Sequence, residues 1–140
     1  MSLPDGPVPV PPGALSFAAA DKALVNWLAA AGFESVSTDG PDKAESWPHI
    51  QVTTLPTGSA TLYKSSSAND VEVFHPNYDA AANAAGVVHY WVLRMQGQVV
   101  GEQNIDDVRG PTPGYEDYDD PTLKRFMSTY TVESRPINPL

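Results

Sequence analysis

Every strand-like run in this sequence alternates apolar with polar residues, and none is continuously apolar. Val71 and Val73 point one way while Glu72 and Phe74 point the other, and Phe126, Ser128, Tyr130 and Val132 share a single face. Ala60 and Leu62 likewise alternate with Ser59, Thr61 and Tyr63. Successive side chains of a strand lie on opposite faces of its sheet, so this pattern demands a sheet buried on one side, with the other side wet or covered by another chain.

Two helical stretches supply the cover. From Ser16 onward, Phe17, Ala20, Leu24, Trp27, Leu28 and Ala31 recur at three and four residues, one apolar stripe on a helix. Ser16 is placed as its N-cap, Gly32 as its left-handed C′ residue and Phe33 as the side chain that folds back on the last turn. The second helix is expected over Asp79 to Gln96, capped by Asn77 or Asp79 and ended by Gly97. Its expected buried stripe is Ala84, Val88, Trp91, Val92 and Met95, with Asn83, His89, Arg94 and Gln96 on the wet side. Gly86 within it costs about 1 kcal/mol relative to Ala, which implies close approach to a neighbouring element.

Between and after these helices the pattern predicts a hairpin, His49–Leu55 and Ser59–Tyr63, around Pro56-Thr57-Gly58. A Ser-rich loop from Lys64 to Asn69 follows, then a strand from Asp70 to His75. Val99 to Arg109 is read as a returning strand in a right-handed crossover, and a loop from Gly110 to Pro121 leads to a last strand ending near Arg135. Glu34 to Pro48 is polar and broken by Gly40-Pro41 and Trp47-Pro48. The expected fold is α/β in the α+β two-layer sense, with two helices on one face of a mixed, mostly antiparallel sheet of four to five strands. Residues 1–15 form a proline-rich extended arm, 16–136 the single domain and 137–140 a short tail.

Length agrees with one domain, since 140 residues is the ordinary size and such a chain buries roughly 68–70% of its unfolded surface without disulfides or metals. There is no cysteine, which removes thiol chemistry and Cys-ligated zinc. Seventeen acidic against eight basic residues give a net charge of -9, the wrong sign for gripping a phosphate backbone. No apolar run is long enough for a membrane span, and Met1 to Gly13 carries neither the basic nor the apolar part of a secretory signal.

Catalytic and metal-binding patterns are lacking. His49, His75 and His89 lie in separate elements, and Glu72 and His75 are three apart on a strand, hence on opposite faces. There is no G-x-S-x-G elbow and no phosphate-cradling glycine loop. Neither catalytic residues nor a cofactor nor a metal is expected, and the chain is not read as an enzyme. The densest charge cluster is Tyr115, Glu116, Asp117, Tyr118, Asp119 and Asp120. Counted as a calcium loop from Asp117, it has Thr122 and Ser128 where Gly and Glu are required. With tyrosines interleaved among the acids, these six residues are either a solvated loop or a candidate interface with a partner. The stretch from Glu102 to Asp120 holds seven acids against Arg109 alone, about two thirds of the net charge.

A succession of short motifs carries a resemblance. Ala31-Gly32-Phe33 ends the first helix and is followed by Pro48-His49-Ile50-Gln51-Val52. Asp70-Val71-Glu72-Val73-Phe74 then runs into the Ala-rich helix Asp79 to Met95. Gly110-Pro111 and a loop lead to Arg125-Phe126, Tyr130-Thr131-Val132 and Arg135-Pro136. Over Ser16 to Pro136 this order resembles the tail terminator (tail completion) proteins of long-tailed bacteriophages, in particular the actinobacteriophage type. The resemblance implies a virion protein that forms a homohexameric ring at the head-proximal end of the tail tube. Such a ring stops tube growth and meets the head completion protein, while DNA passes through its lumen without specific binding. It implies no catalytic residues. Two other readings stand beside it: a head completion (stopper) protein, and a monomeric binding module using the uncovered sheet face near Tyr63 and Phe74.

Overall fold

The computed structural model describes residues 20–56, 58–61, 64–101 and 103–136. The expected arm at residues 1–15, the Ser16 cap, Phe17, Leu62, Tyr63, Glu102 and the 137–140 tail lie outside them. In chain order the elements are α1 (Ala20–Ala30), β1 (Ser35–Ser37), a 3₁₀ turn (Pro41–Lys43), β2 (His49–Thr54), β3 (Ser59–Ala60) and β4 (Ser65–His75). There follow α2 (Tyr78–Arg94), β5 (Val99–Val100), β6 (Gln103–Arg109), β7 (Gly114–Glu116) and β8 (Lys124–Pro136).

The two-layer α+β architecture and the two helices are as expected; the strand number is not. The sheet has eight strands in the order β1-β2-β4-β8-β6-β5, with β3 on β4 and β7 on β8. Four of the eight, β1, β3, β5 and β7, are only two or three residues long, too short to show a period of two. The ladders are antiparallel except for β1 on β2. Because β4 and β6 both run antiparallel to β8, they run the same way, with β8 between them and α2 in the connection.

The expected first hairpin is redrawn. β2 and β3 do not pair with each other; both lie antiparallel on β4, through Ile50↔Val73 and Ser59↔Ser66. They are one long hairpin arm, and its turn is closed by the Thr61 amide on the Lys64 carbonyl at 2.7 Å. Pro56, which has no amide to donate, interrupts the arm instead of turning it. A side chain at Gly58 would stand 2.5 Å from the Ser66 carbonyl oxygen, so the chain passes too close to β4 for any other residue. The Ser-rich segment Lys64 to Asn69, expected as a loop, is therefore mostly strand. Ser65 to Asn69 is laddered to β8 along its whole length, and tertiary pairing overrides the weak strand preference of serine. The expected strand Val99 to Arg109 is broken at Gly101, whose φ of 62° makes the tight β5–β6 hairpin.

Gly32 does what its position predicts. With φ at 111°, it donates to the Ala29 carbonyl, and the Phe33 amide reaches back to Leu28 at 3.2 Å, the paired bonds of a Schellman ending. Asn77 caps α2 by accepting from the Ala80 amide at 2.9 Å. The buried stripe of α2 is Ala81, Ala85, Val88 and Val92, continued by Met95, so Ala84 and Trp91 sit at its margin. Trp91 is half-buried, edge-on to Trp27 at 6.4 Å, and its carbonyl accepts the Trp27 indole N–H at 2.7 Å. Gly86 approaches nothing: it is exposed, and an added Cβ would meet no atom within 4 Å. The core lies between the helices, through Leu24, Leu28, Val88 and Val92, and one sheet face, through Ile50, Val52, Val71, Val73, Tyr130 and Val132.

Candidate assembly surface around the acidic loop

On β8 the residues from Phe126 to Ser134 alternate buried and half-buried, which fixes the two sheet faces. The helix face carries Phe126, Ser128, Tyr130, Val132 and Ser134; the open face carries Arg125, Met127, Thr129, Thr131 and Glu133. The open face is laced with polar pairs. Thr129 Oγ1 donates to Asp70 Oδ1 at 2.5 Å, and Lys64 Nζ lies 3.2 Å from Glu133 Oε2.

The six residues singled out from sequence do not form one patch. β7 pairs with the start of β8, placing Tyr115 opposite Phe126 on the helix side and Glu116 opposite Arg125 on the open side. Tyr115 packs against Tyr78 at 5.2 Å and Phe126 at 5.6 Å. Its hydroxyl is raised above the usual value by a hydrogen bond to Asp117. After Glu116 the chain turns back over the open face, and Tyr118 sets its ring edge-on to Phe74 at 4.9 Å. Phe74 is fully buried beneath it, so it is not the exposed ligand platform that the binding-module reading used. The other residue of that platform, Tyr63, is outside the described residues.

Arg125 organises the loop from below. Its Nη2 donates to the Asp117 carbonyl at 2.8 Å and lies 3.6 Å from Glu116 Oε2, and its Nη1 lies 3.4 Å from Glu72 Oε2. The guanidinium carbon sits 5.4 Å from the centre of the Tyr118 ring, in cation–π range. Burial raises the Glu72 carboxyl above its ordinary value, outweighing the opposing pull of Arg125. Asp120 is held low by two hydrogen bonds from Thr122, the hydroxyl at 2.6 Å and the amide at 3.0 Å. Glu116 and the Asp117 carbonyl thus bond Arg125 from the exposed rim of the loop, while Asp119 and Asp120 are exposed and make no ion pair among the described residues.

Of the six acids described between Glu102 and Asp120, three are ion-paired: Glu116 with Arg125, and two on β6. Asp106 holds Arg135 at 2.8 Å and Asp107 holds Arg109. Beyond the loop, an open cleft of about 450 Å³ lies between Tyr118, Asp120, Thr122 and Leu123 on one side and Pro41, Asp42, Trp47 and Pro76 on the other. Sequence reasoning assigned no role to Arg125 and took Trp47-Pro48 only as a breaker. The Trp47–Pro48 peptide is cis, and Trp47 stays 41% exposed with its ring 6.4 Å from His75. Arg125 stands opposite Phe74 and Glu116 only once β8 is paired on both edges, a relation that no local spacing reveals.

The histidines have structural partners. Ser35 Oγ lies 2.7 Å from His49 Nδ1, and His49 Nε2 lies 2.8 Å from the Asp39 carbonyl. That carbonyl can only accept, so Nε2 carries the proton and Ser35 donates to Nδ1, a closed clasp between β1 and β2. His89, expected on the wet side of α2, is half-buried with Nδ1 2.6 Å from the Tyr130 hydroxyl. Among the described residues no group of three or more His, Asp or Glu is placed to hold a metal, and no helix is long and apolar enough to cross a membrane.

No protein-family model matches the sequence, and no curated protein matches it. Its backbone does have a solved counterpart. The chain superposes with a TM-score of 0.56 on a chain of the structure described as "Virion of native gene transfer agent (GTA) particle". The match covers 77% of this chain and 84% of that one, at 11% identity. What the two share is the fold.

Proposed function

We propose that this chain is a structural protein of a phage-like virion and, within it, the tail terminator. In this reading six copies form a ring on the head-proximal end of the tail tube. The ring ends tube polymerisation and presents a surface to the head completion protein, and DNA crosses its lumen without specific binding. The role is architectural, with no catalytic step. The observation that carries the reading is the backbone likeness to a chain of a gene transfer agent virion, spanning most of both chains. It agrees with the order of motifs from Ser16 to Pro136.

Two features of the surface support it. The open sheet face offers area for the ~1,200–2,000 Å² that stable interfaces bury in total. Outward carboxylates on Asp119 and Asp120 repel phosphate, as suits a subunit that must let DNA slide past. Native mass spectrometry of the purified chain, alone and mixed with the tube protein, tests the assembly. Six-subunit species in either sample are expected; a monomer in both, at every concentration, contradicts the ring.

A further inference from the structure

The cleft beside the acidic loop has a composition that the fold does not explain. Trp47 is 41% exposed although it stands at a cleft with Pro41 and Pro76 and has the His75 ring 6.4 Å away. Asp42 and Asp120 stand at the same cleft, and its volume of about 450 Å³ lies within the ~300–1,000 Å³ of ligand sites. Among the described residues Asp42 and Asp119 make no ion pair, and Asp120 is oriented by Thr122. Lys124, next to the lining residue Leu123, donates to the Pro121 carbonyl at 3.2 Å. An exposed aromatic wall beside fixed carboxylates is the arrangement that recognises a planar cation, stacked on the ring and paired at its edge.

The loop already does this once, internally. Arg125 lies against the Tyr118 ring with Glu116 and Glu72 at its nitrogens. The cleft repeats those parts, an aromatic ring and two carboxylates, on the outer side of the same loop, with no lysine or arginine among its described lining residues. We infer that the cleft between Trp47 and Asp120 is a docking site for an arginine side chain carried by a partner polypeptide. Arginine fits better than lysine because its flat guanidinium can stack on Trp47 while bonding a carboxylate in two places. That the partner belongs to a virion rests on the function proposed above; the recognition chemistry does not.

The test uses the full-length protein and blocked tripeptides, Gly-Arg-Gly, Gly-Lys-Gly and Gly-norleucine-Gly, followed by the indole N–H signals of the three tryptophans. The arginine peptide is expected to move the Trp47 signal and leave Trp27 and Trp91 in place. Its affinity should exceed that of the norleucine peptide by ~10-fold or more and fall as salt is raised. Asp42→Asn with Asp120→Asn should remove that advantage, and Trp47→Leu should weaken arginine binding with the spectrum otherwise folded. Equal response to norleucine, equal response to lysine, or undiminished arginine binding by the double Asn variant overturns the assignment. Rings without arginine binding would reject the cleft alone, and arginine binding by a chain that never assembles would reject the terminator alone.

Discussion

Arg125 ties the acidic loop to the sheet by donating from Nη2 to the carbonyl of Asp117 at 2.8 Å. The same guanidinium lies against Glu72 and Glu116, so it joins the loop to the sheet beside the Tyr118–Phe74 contact and the β7–β8 ladder.

Arg125→Gln should therefore destabilise by about 1–3 kcal/mol, because it leaves the half-buried Glu72 without its charged donor. Asp119→Asn should change stability by less than about 0.5 kcal/mol, as expected for an exposed residue. Denaturant unfolding of both variants, with hydrogen exchange at residues 117–120, checks the pair. Equal stabilities and equal exchange would show that the loop is held by something else.

Glu72 makes stability depend on pH in a defined direction. Its carboxyl is raised by burial, so the folded protein holds this proton more tightly than the unfolded chain. Stability from this group therefore rises as pH falls from neutrality through the raised value, the opposite of an ordinary salt-bridged acid. Glu72→Gln keeps an acceptor for Arg125 and removes the charge. It should melt no lower than the parent at neutral pH, and the difference should vanish in weak acid; a variant less stable at neutral pH would mean that the Arg125 pairing outweighs burial.

Tyr130 behaves as a buried phenol. Its pKa is pushed up to about 12 by burial, so folded protein resists ionisation at this ring and loses stability as pH climbs above 10, where the unfolded chain ionises first. Tyr130→Phe removes the bond to His89 Nδ1 and should cost about 0.5–1.5 kcal/mol at neutral pH. Ultraviolet titration against the Phe variant reads the missing phenol directly.

Gly86 and Leu28 should move stability in opposite directions. Gly86 lies exposed in mid-helix with open space around it, so Gly86→Ala should stabilise by roughly 0.5–1 kcal/mol. Leu28 is fully buried between α1 and the sheet, and Leu28→Ala should cost about 2–5 kcal/mol. Melting curves of the two variants suffice. A destabilised Gly86→Ala would show that a neighbour does approach that face.

How much of this was legible beforehand depended on the range of the interaction. The Schellman ending at Gly32 and the alternating face of β8 are local patterns readable from spacing, while the cap of α2 was narrowed only to Asn77 or Asp79. Ser65 to Asn69 was not, because its strand conformation comes from ladders to β3 and β8, distant in sequence. The acidic stretch from Tyr115 to Asp120 was visible as composition, but its division into Glu116, paired with Arg125, and the unpaired Asp119 and Asp120 depends on Arg125. The cleft at Trp47 joins the segments around Pro41, Pro76 and Leu123, which no periodicity relates.

The central claim is that this chain ends a tail tube, and tube length measures it most directly. Tube protein is polymerised with and without the purified chain, and the products are measured by electron microscopy. A terminator should leave shorter tubes, each with a ring of density capping one end, and should halt elongation when added midway. Tubes of unchanged length with bare ends, under conditions in which the chain is folded, would contradict the account.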